Sequence, residues 1–221
     1  MHATTATTFG GAVTAGGVTK TGPETLTLTG AHATPNAAWT VRDGTLALAG
    51  SAQVRRLTVE PAGTLLATGT VEGAVDNAGT VDTTGLTVRG TYTQRPGARL
   101  TGAGMSVTDA VTLAGTFEPG PAREPGVIID NKGTAQVSGT FDGLPEGAAI
   151  GALQLTYHGG DGNDVVLTNR SDPTATGSDG TTPRAATGSG FGPWWWVSAA
   201  CALVLLIALV LVVRRRSRGR D

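Results

Sequence analysis

The sequence predicts an all-β chain: a β-solenoid, then a flexible linker, then one C-terminal transmembrane α-helix. Three observations carry this. A short unit of alternating apolar residues closed by glycine recurs at intervals of 19 to 25 residues. Glycine numbers 34 in 221 residues, while aromatics are 5% and charges 15%, which is too glycine-rich for a helical bundle and too apolar for simple disorder. Residues 194–213 form an apolar run with arginines crowded against its end.

Residues 1–15 are expected to be disordered or the remnant of a truncated start. They carry neither the charged n-region nor the apolar h-region of a secretory signal. A chain held by a C-terminal span with its domain outside must have had that domain exported. The expectation is therefore that more of the same repeat lies upstream.

Residues 16–169 are the predicted solenoid. The unit appears as Leu26-Thr27-Leu28-Thr29-Gly30, Leu46-Ala47-Leu48-Ala49-Gly50, Leu65-Leu66-Ala67-Thr68-Gly69, Leu86-Thr87-Val88-Arg89-Gly90, Val111-Thr112-Leu113-Ala114-Gly115 and Ala135-Gln136-Val137-Ser138-Gly139. Alternation marks a strand with one buried face, and self-similarity at this period marks coils that bury that face only by stacking. The last three copies place Tyr92, Phe117 and Phe141 two residues past the glycine. Glycine supplies the sharp bend between sheets, and threonine suits the outer face of a strand. Asp76-Asn77-Ala78-Gly79, Arg95-Pro96-Gly97, Pro119-Gly120-Pro121, Asn131-Lys132-Gly133 and Pro145-Glu146-Gly147 read as turns. An immunoglobulin-like sandwich also has short strands and turns at regular spacing, but it needs no glycine in register.

The run Gly17-Val18-Thr19-Lys20-Thr21-Gly22-Pro23-Glu24-Thr25-Leu26-Thr27-Leu28-Thr29-Gly30, followed by Trp39-Thr40-Val41-Arg42-Asp43-Gly44-Thr45-Leu46, resembles the autotransporter-associated β-strand repeat. The likeness is close over residues 16–50 and reduces to the strand-glycine rhythm over 51–169. It implies a right-handed parallel β-helix like those of bacterial surface passengers. Ala33-Thr34-Pro35-Asn36 replaces the family's tyrosine- and glycine-rich turn. A single helix stands where true autotransporters have an outer-membrane barrel, an arrangement that looks like a Gram-positive surface protein.

Candidate chemistry is sparse. Gly159-Gly160-Asp161-Gly162-Asn163-Asp164 fits one copy of the glycine-aspartate nonapeptide that binds calcium in β-rolls. That would make Asp161 and Asp164 metal ligands. The competing reading is a glycine-rich turn into the last strand with no cofactor, and it is the one adopted. Carbohydrate-active β-helices need two or three carboxylates on one face; Asp76, Asp82, Asp109 and Asp130 are single acids in turns or strand ends. His2, His32 and His158 are scattered and read as solvated surface residues. No nucleophile elbow, phosphate loop or zinc pair is present, so the chain reads as non-enzymatic. The only cysteine, Cys201, lies inside the span, which leaves the outer part no disulfide.

Residues 170–193, rich in Ser, Thr, Gly and Pro, form the predicted linker. Residues 194–213 are long enough to cross a hydrocarbon core of about 30 Å at about 1.5 Å per residue. Trp194, Trp195 and Trp196 suit the outer interface, and Arg214, Arg215 and Arg216 in the tail 214–221 favour the cytoplasmic side. Within the linker, Arg184-Ala185-Ala186-Thr187-Gly188, followed by spacer, span and arginines, resembles the Leu-Ala-x-Thr-Gly cell-wall sorting signal of sortase substrates. The resemblance implies cleavage between Thr187 and Gly188 and transfer to peptidoglycan, although Arg184 stands where the family has leucine. A permanent single-pass anchor is the competing reading, and it is the one favoured.

Ahead of the tail, eleven basic residues face sixteen acidic ones, so nucleic acid is not an expected partner. The expected partners are the membrane, sortase and peptidoglycan, and host or envelope glycans. The expected role is adhesion or an envelope stalk, with the solenoid outside the cell membrane or on the cell wall. The alternative is the C-terminal fragment of an extracellular carbohydrate-active β-helix enzyme.

Overall fold

The computed structural model describes residues 5–14, 16–120 and 124–170. The linker from residue 171, the sortase-like Thr187 and Gly188, the span with Trp194, Trp195 and Trp196, and the tail with Arg214, Arg215 and Arg216 lie outside the described residues. Among the described residues there is no helix, hence none long and apolar enough to cross a membrane. The chain is all-β and winds into a solenoid of about six coils.

Three parallel ladders run the length of the stack. The first joins Thr7–Phe9, Thr25–Leu28, residues 45–48, residues 64–67, Thr80–Asp82, Arg99–Thr101 and Thr116–Glu118. The second joins residues 31–34, 51–54 and 70–72 to Thr87–Arg89, Met105–Val107 and Gly126–Asn131. The third joins Thr19–Lys20, residues 38–41, 56–59 and 74–77, then Tyr92–Gln94, Val111–Leu113 and Ser138–Gly139. Among the described residues the pairing starts at Thr7, ahead of residue 16 where the predicted solenoid begins.

Alternation sets the inside from the outside. Leu26, Leu46, Leu65, Val81, Leu100 and Phe117 stack as one buried column of the first ladder. Trp39, Leu57, Val75, Tyr92 and Val111 stack likewise in the third. Each such side chain taken fully from water contributes about 1.5–3 kcal/mol, and no coil collects enough of them without its neighbours.

The glycine rhythm divides in three dimensions. Gly30, Gly50 and Gly69 do share one corner, where a Cβ on Gly50 would collide with the carbonyl oxygen of Gly30, and one on Gly69 with that of Gly50. Those carbonyls accept from the next coil, Gly30 O from Ser51 N–H at 3.2 Å and Gly50 O from Thr70 N–H at 3.1 Å, so no side chain fits between. Gly90 instead lies between the second and third ladders, Gly115 between the third and first, and Gly139 at the end of the third. Coil length is the reason. Steps along the ladders range from 16 residues (Leu65 to Val81) to 21 (Thr19 to Thr40), then lengthen to 24 (Met105 to Ile129) and 26 (Thr112 to Ser138). A count from glycine to glycine therefore drifts from one corner to another. Of the three recurrent aromatics, Phe117 and Phe141 stack with centroids 5.2 Å apart, while Tyr92 sits in a different ladder.

The stack closes by reversing strand direction. Asp164–Asn169 pairs antiparallel with the last rung Gly126–Asn131, and Leu153–Gly159 pairs antiparallel with Asp164–Asn169. Leu153, Leu155, Tyr157, Val165 and Leu167 bury one face of this hairpin.

Candidate functional site

The glycine-aspartate motif forms the turn of the closing hairpin, between strands that end at Gly159 and begin at Asp164. Asp164 Oδ1 accepts the backbone N–H of Asn131 at 2.8 Å. Asn163 Nδ2 donates to Gly133 O at 2.7 Å. Asn131 completes the lock, its Nδ2 donating to Ala135 O at 2.9 Å and its Oδ1 accepting Gly133 N–H at 3.1 Å. The motif thus pins residues 131–135 against the hairpin. Burial away from water pushes the Asp164 carboxyl above its ordinary pKa, with the Asn131 N–H pulling the other way. Lys132 stands 2.8 Å from Asp130 and also lowers the Asp164 pKa by its charge. A β-roll calcium cage draws its aspartates from adjacent parallel turns. Asp161 and Asp164 instead lie in one antiparallel hairpin, with Asp164 Oδ1 accepting a backbone donor. Among the described residues no three or more His, Cys, Asp or Glu side chains group to hold a metal ion.

Of the acids considered for catalysis, Asp76, Asp82 and Asp130 have separate local partners. Asp76 is gripped by arginines from the coils on either side: Arg95 Nε donates to Oδ1 at 2.6 Å, and Arg56 Nη1 to Oδ2 at 3.1 Å. The Arg95 hydrogen bond is the main cause holding the Asp76 carboxyl below its ordinary pKa. Asp82 accepts from Thr84 Oγ1 at 3.1 Å, and Asp130 pairs with Lys132. Behind Asp76 a buried chain of polar groups runs inward. Asn77 Nδ2 donates to Tyr92 OH at 3.3 Å, Tyr92 OH to Gln94 Oε1 at 3.0 Å, and Gln94 Nε2 to Thr116 O at 3.0 Å. Every link ends on a protein acceptor, so this network fixes coil register.

One histidine departs from its expected surroundings. His158 is exposed and stands 3.0 Å from Gln136 Oε1, whereas His32 is only 2% exposed and corrects the reading of all three as solvated. The cause is its rung: His32 shares the inward column of the second ladder with Ala52, Val71, Val88 and Val107. His2 lies outside the described residues. Lys20 is also fully buried, and its Nζ donates to Gly22 O at 2.6 Å and Asp43 O at 2.9 Å. Burial pushes its pKa down.

The outer faces are rows of threonine. Thr25, Thr45, Thr64 and Thr80 occupy successive rungs of the first ladder, and Thr19, Thr40 and Thr58 those of the third. Sequence reasoning missed His32, Lys20 and the Arg56–Asp76–Arg95 grip. The signal for the grip was a spacing of 20 and 19 residues, about one coil each way. Comparison with protein-family models, curated proteins and solved structures returns no match.

Proposed function

We propose that this chain is a non-enzymatic cell-surface module, a right-handed parallel β-helix of the autotransporter-associated repeat kind. It is held outside a Gram-positive-like membrane by the span at 194–213, or is transferred to the wall by cleavage between Thr187 and Gly188. It serves adhesion or forms an envelope stalk, with surface glycans as the class of partner met by the threonine-lined faces.

One observation carries this reading. The described chain is spent on a stack whose interior polar groups mostly satisfy one another, and it leaves that stack at the closed end, where Arg170 N–H donates to Ala152 O at 3.1 Å. The linker, span and arginine tail follow in the order of a displayed protein. The test is protease shaving of intact cells, with mass spectrometry of membrane and wall fractions. Release of peptides from residues 16–169 with the tail retained supports display outside. A C-terminus at Thr187 bound to a wall peptide supports sorting, and intact Arg220 in membranes supports the permanent anchor. Protection of residues 16–169 with loss of the arginine tail would invert the topology and end the proposal.

A further inference from the structure

We propose that His32 is an acid-opened latch that holds residues 5–14 on the first described coil of the solenoid. The first described rung has few ties. Thr7, Thr8 and Phe9 pair with Leu26, Thr27 and Leu28. Thr29 N–H donates to Phe9 O at 3.2 Å and Ala33 N–H to Val13 O at 2.9 Å. The imidazole adds two more. Its Nδ1 accepts the backbone N–H of Val13 at 3.1 Å, and its ring stacks on Phe9 with centroids 6.3 Å apart and planes at 24°. On its other side stands Trp39 at 5.5 Å, whose Nε1 is committed to Thr34 Oγ1 at 2.9 Å.

These contacts fix the ring's chemistry. With Nδ1 accepting, the neutral ring carries its proton on Nε2, and that buried atom has no partner. Protonation places a second donor on Nδ1, aimed at the N–H of Val13, so the latch bond becomes a repulsive pair of donors. It also puts a charge among apolar rings with no opposite charge facing it among the described residues. Residues 7–14 carry no charged side chain, nor do rung 51–54 of the next coil or residues 31–39 of the histidine's own strand. Burial alone lowers the His32 pKa from its ordinary value of 6.5. The sign follows: below 6.5 the released imidazole takes a proton that the latched one refuses, so latching weakens as pH falls from 6.5 to the lowered value and stays weak beneath it.

The test is hydrogen exchange by mass spectrometry on the full chain in detergent micelles, at about pH 7.5 and about pH 5, corrected for intrinsic rates. Peptides covering residues 5–14 should lose protection about tenfold between the two, while residues 45–48 and 64–67 keep theirs. His32→Asn retains an acceptor near the Nδ1 position and does not titrate, so its residues 5–14 should exchange alike at both values. An NMR titration of wild-type His32 should report an Nε2-protonated neutral ring and a pKa below 6.5, and it serves as the deciding measurement if His32→Asn fails to fold. Unchanged protection in the wild type, an equal loss in His32→Asn, or a ring titrating at or above 6.5 would each overturn the latch.

Discussion

The two ends of the described stack hold their outermost strands with different chemistry. The inward column of the second ladder is His32, Ala52, Val71, Val88, Val107 and Asn131, so a polar side chain caps a run of small apolar ones at either end. The carboxyl-terminal end reverses strand direction and locks the reversal with Asp164, Asn163 and Asn131. The amino-terminal end keeps the parallel direction, lays a three-residue rung over Leu26 and Leu28, and fastens it through a neutral imidazole. Among the described residues the two buried side-chain polar atoms without a partner are His32 Nε2 and Asn163 Oδ1, one at each end. An amide cannot titrate near neutrality and an imidazole can, so of these two atoms only the one beside residues 5–14 responds directly to mild acid.

The largest effect should come from removing the aromatic that seats the closed end. Phe141 is 1% exposed and lies between Phe117 and Tyr157. Phe141→Ala should lower stability by about 3–5 kcal/mol in urea titrations, and exchange should rise first in residues 153–169. If protection fell first in residues 5–14, the closed end would not be an independent lock.

Asp164→Ala leaves the Asn131 N–H buried without an acceptor and should cost about 1–3 kcal/mol in the same titration. Its pH dependence separates the ends further. Because the folded Asp164 pKa is raised, its contribution grows more favourable as pH falls through that raised value, opposite in sign to His32. Wild-type stability minus that of Asp164→Asn, measured against pH, should therefore rise on acidification through that window. A difference that falls there would mean that the carboxylate's hydrogen bond outweighs its burial.

Asp76 lies between the ends and should share the sign of His32 but act in a lower pH window. Its folded pKa is lowered, so its contribution is full above 3.8 and is lost as pH falls through the lower folded value. Both arginines are more than half exposed, which limits the contribution to about 1 kcal/mol or less. Asp76→Asn should flatten the stability profile below pH 3.8 while leaving exchange at both ends unchanged. Calcium should have the smallest effect: its titration against Tm should give no saturable rise, and a rise abolished by Asp161→Asn would put an ion in the hairpin turn.

Much of this was legible in the residues. Leu26 and Leu28, or Leu46 and Leu48, announce a strand with one wet face because the side-chain period of two is local. The antiparallel closure was not legible, because Leu153-Gln154-Leu155 alternates in the same way as a parallel rung and nothing in such a run states the direction of its neighbour. The burial of His32 was half legible: alternation from Ala31 to Thr34 points it inward, but only the column above it shows that no charge answers there.

The sequence alone determined that this chain is an all-β stack of short strands punctuated by glycine, because alternation and sharp bends are properties of a few consecutive residues. The tertiary structure decided which residues are neighbours: Gly90 and Gly115 on corners apart from Gly30, Asp76 between Arg56 and Arg95, and a last strand that runs antiparallel to the rung it covers. Coil length varies from 16 to 26 residues, so register is set by which rungs bury best against one another across the stack, and no count along the chain contains that energy.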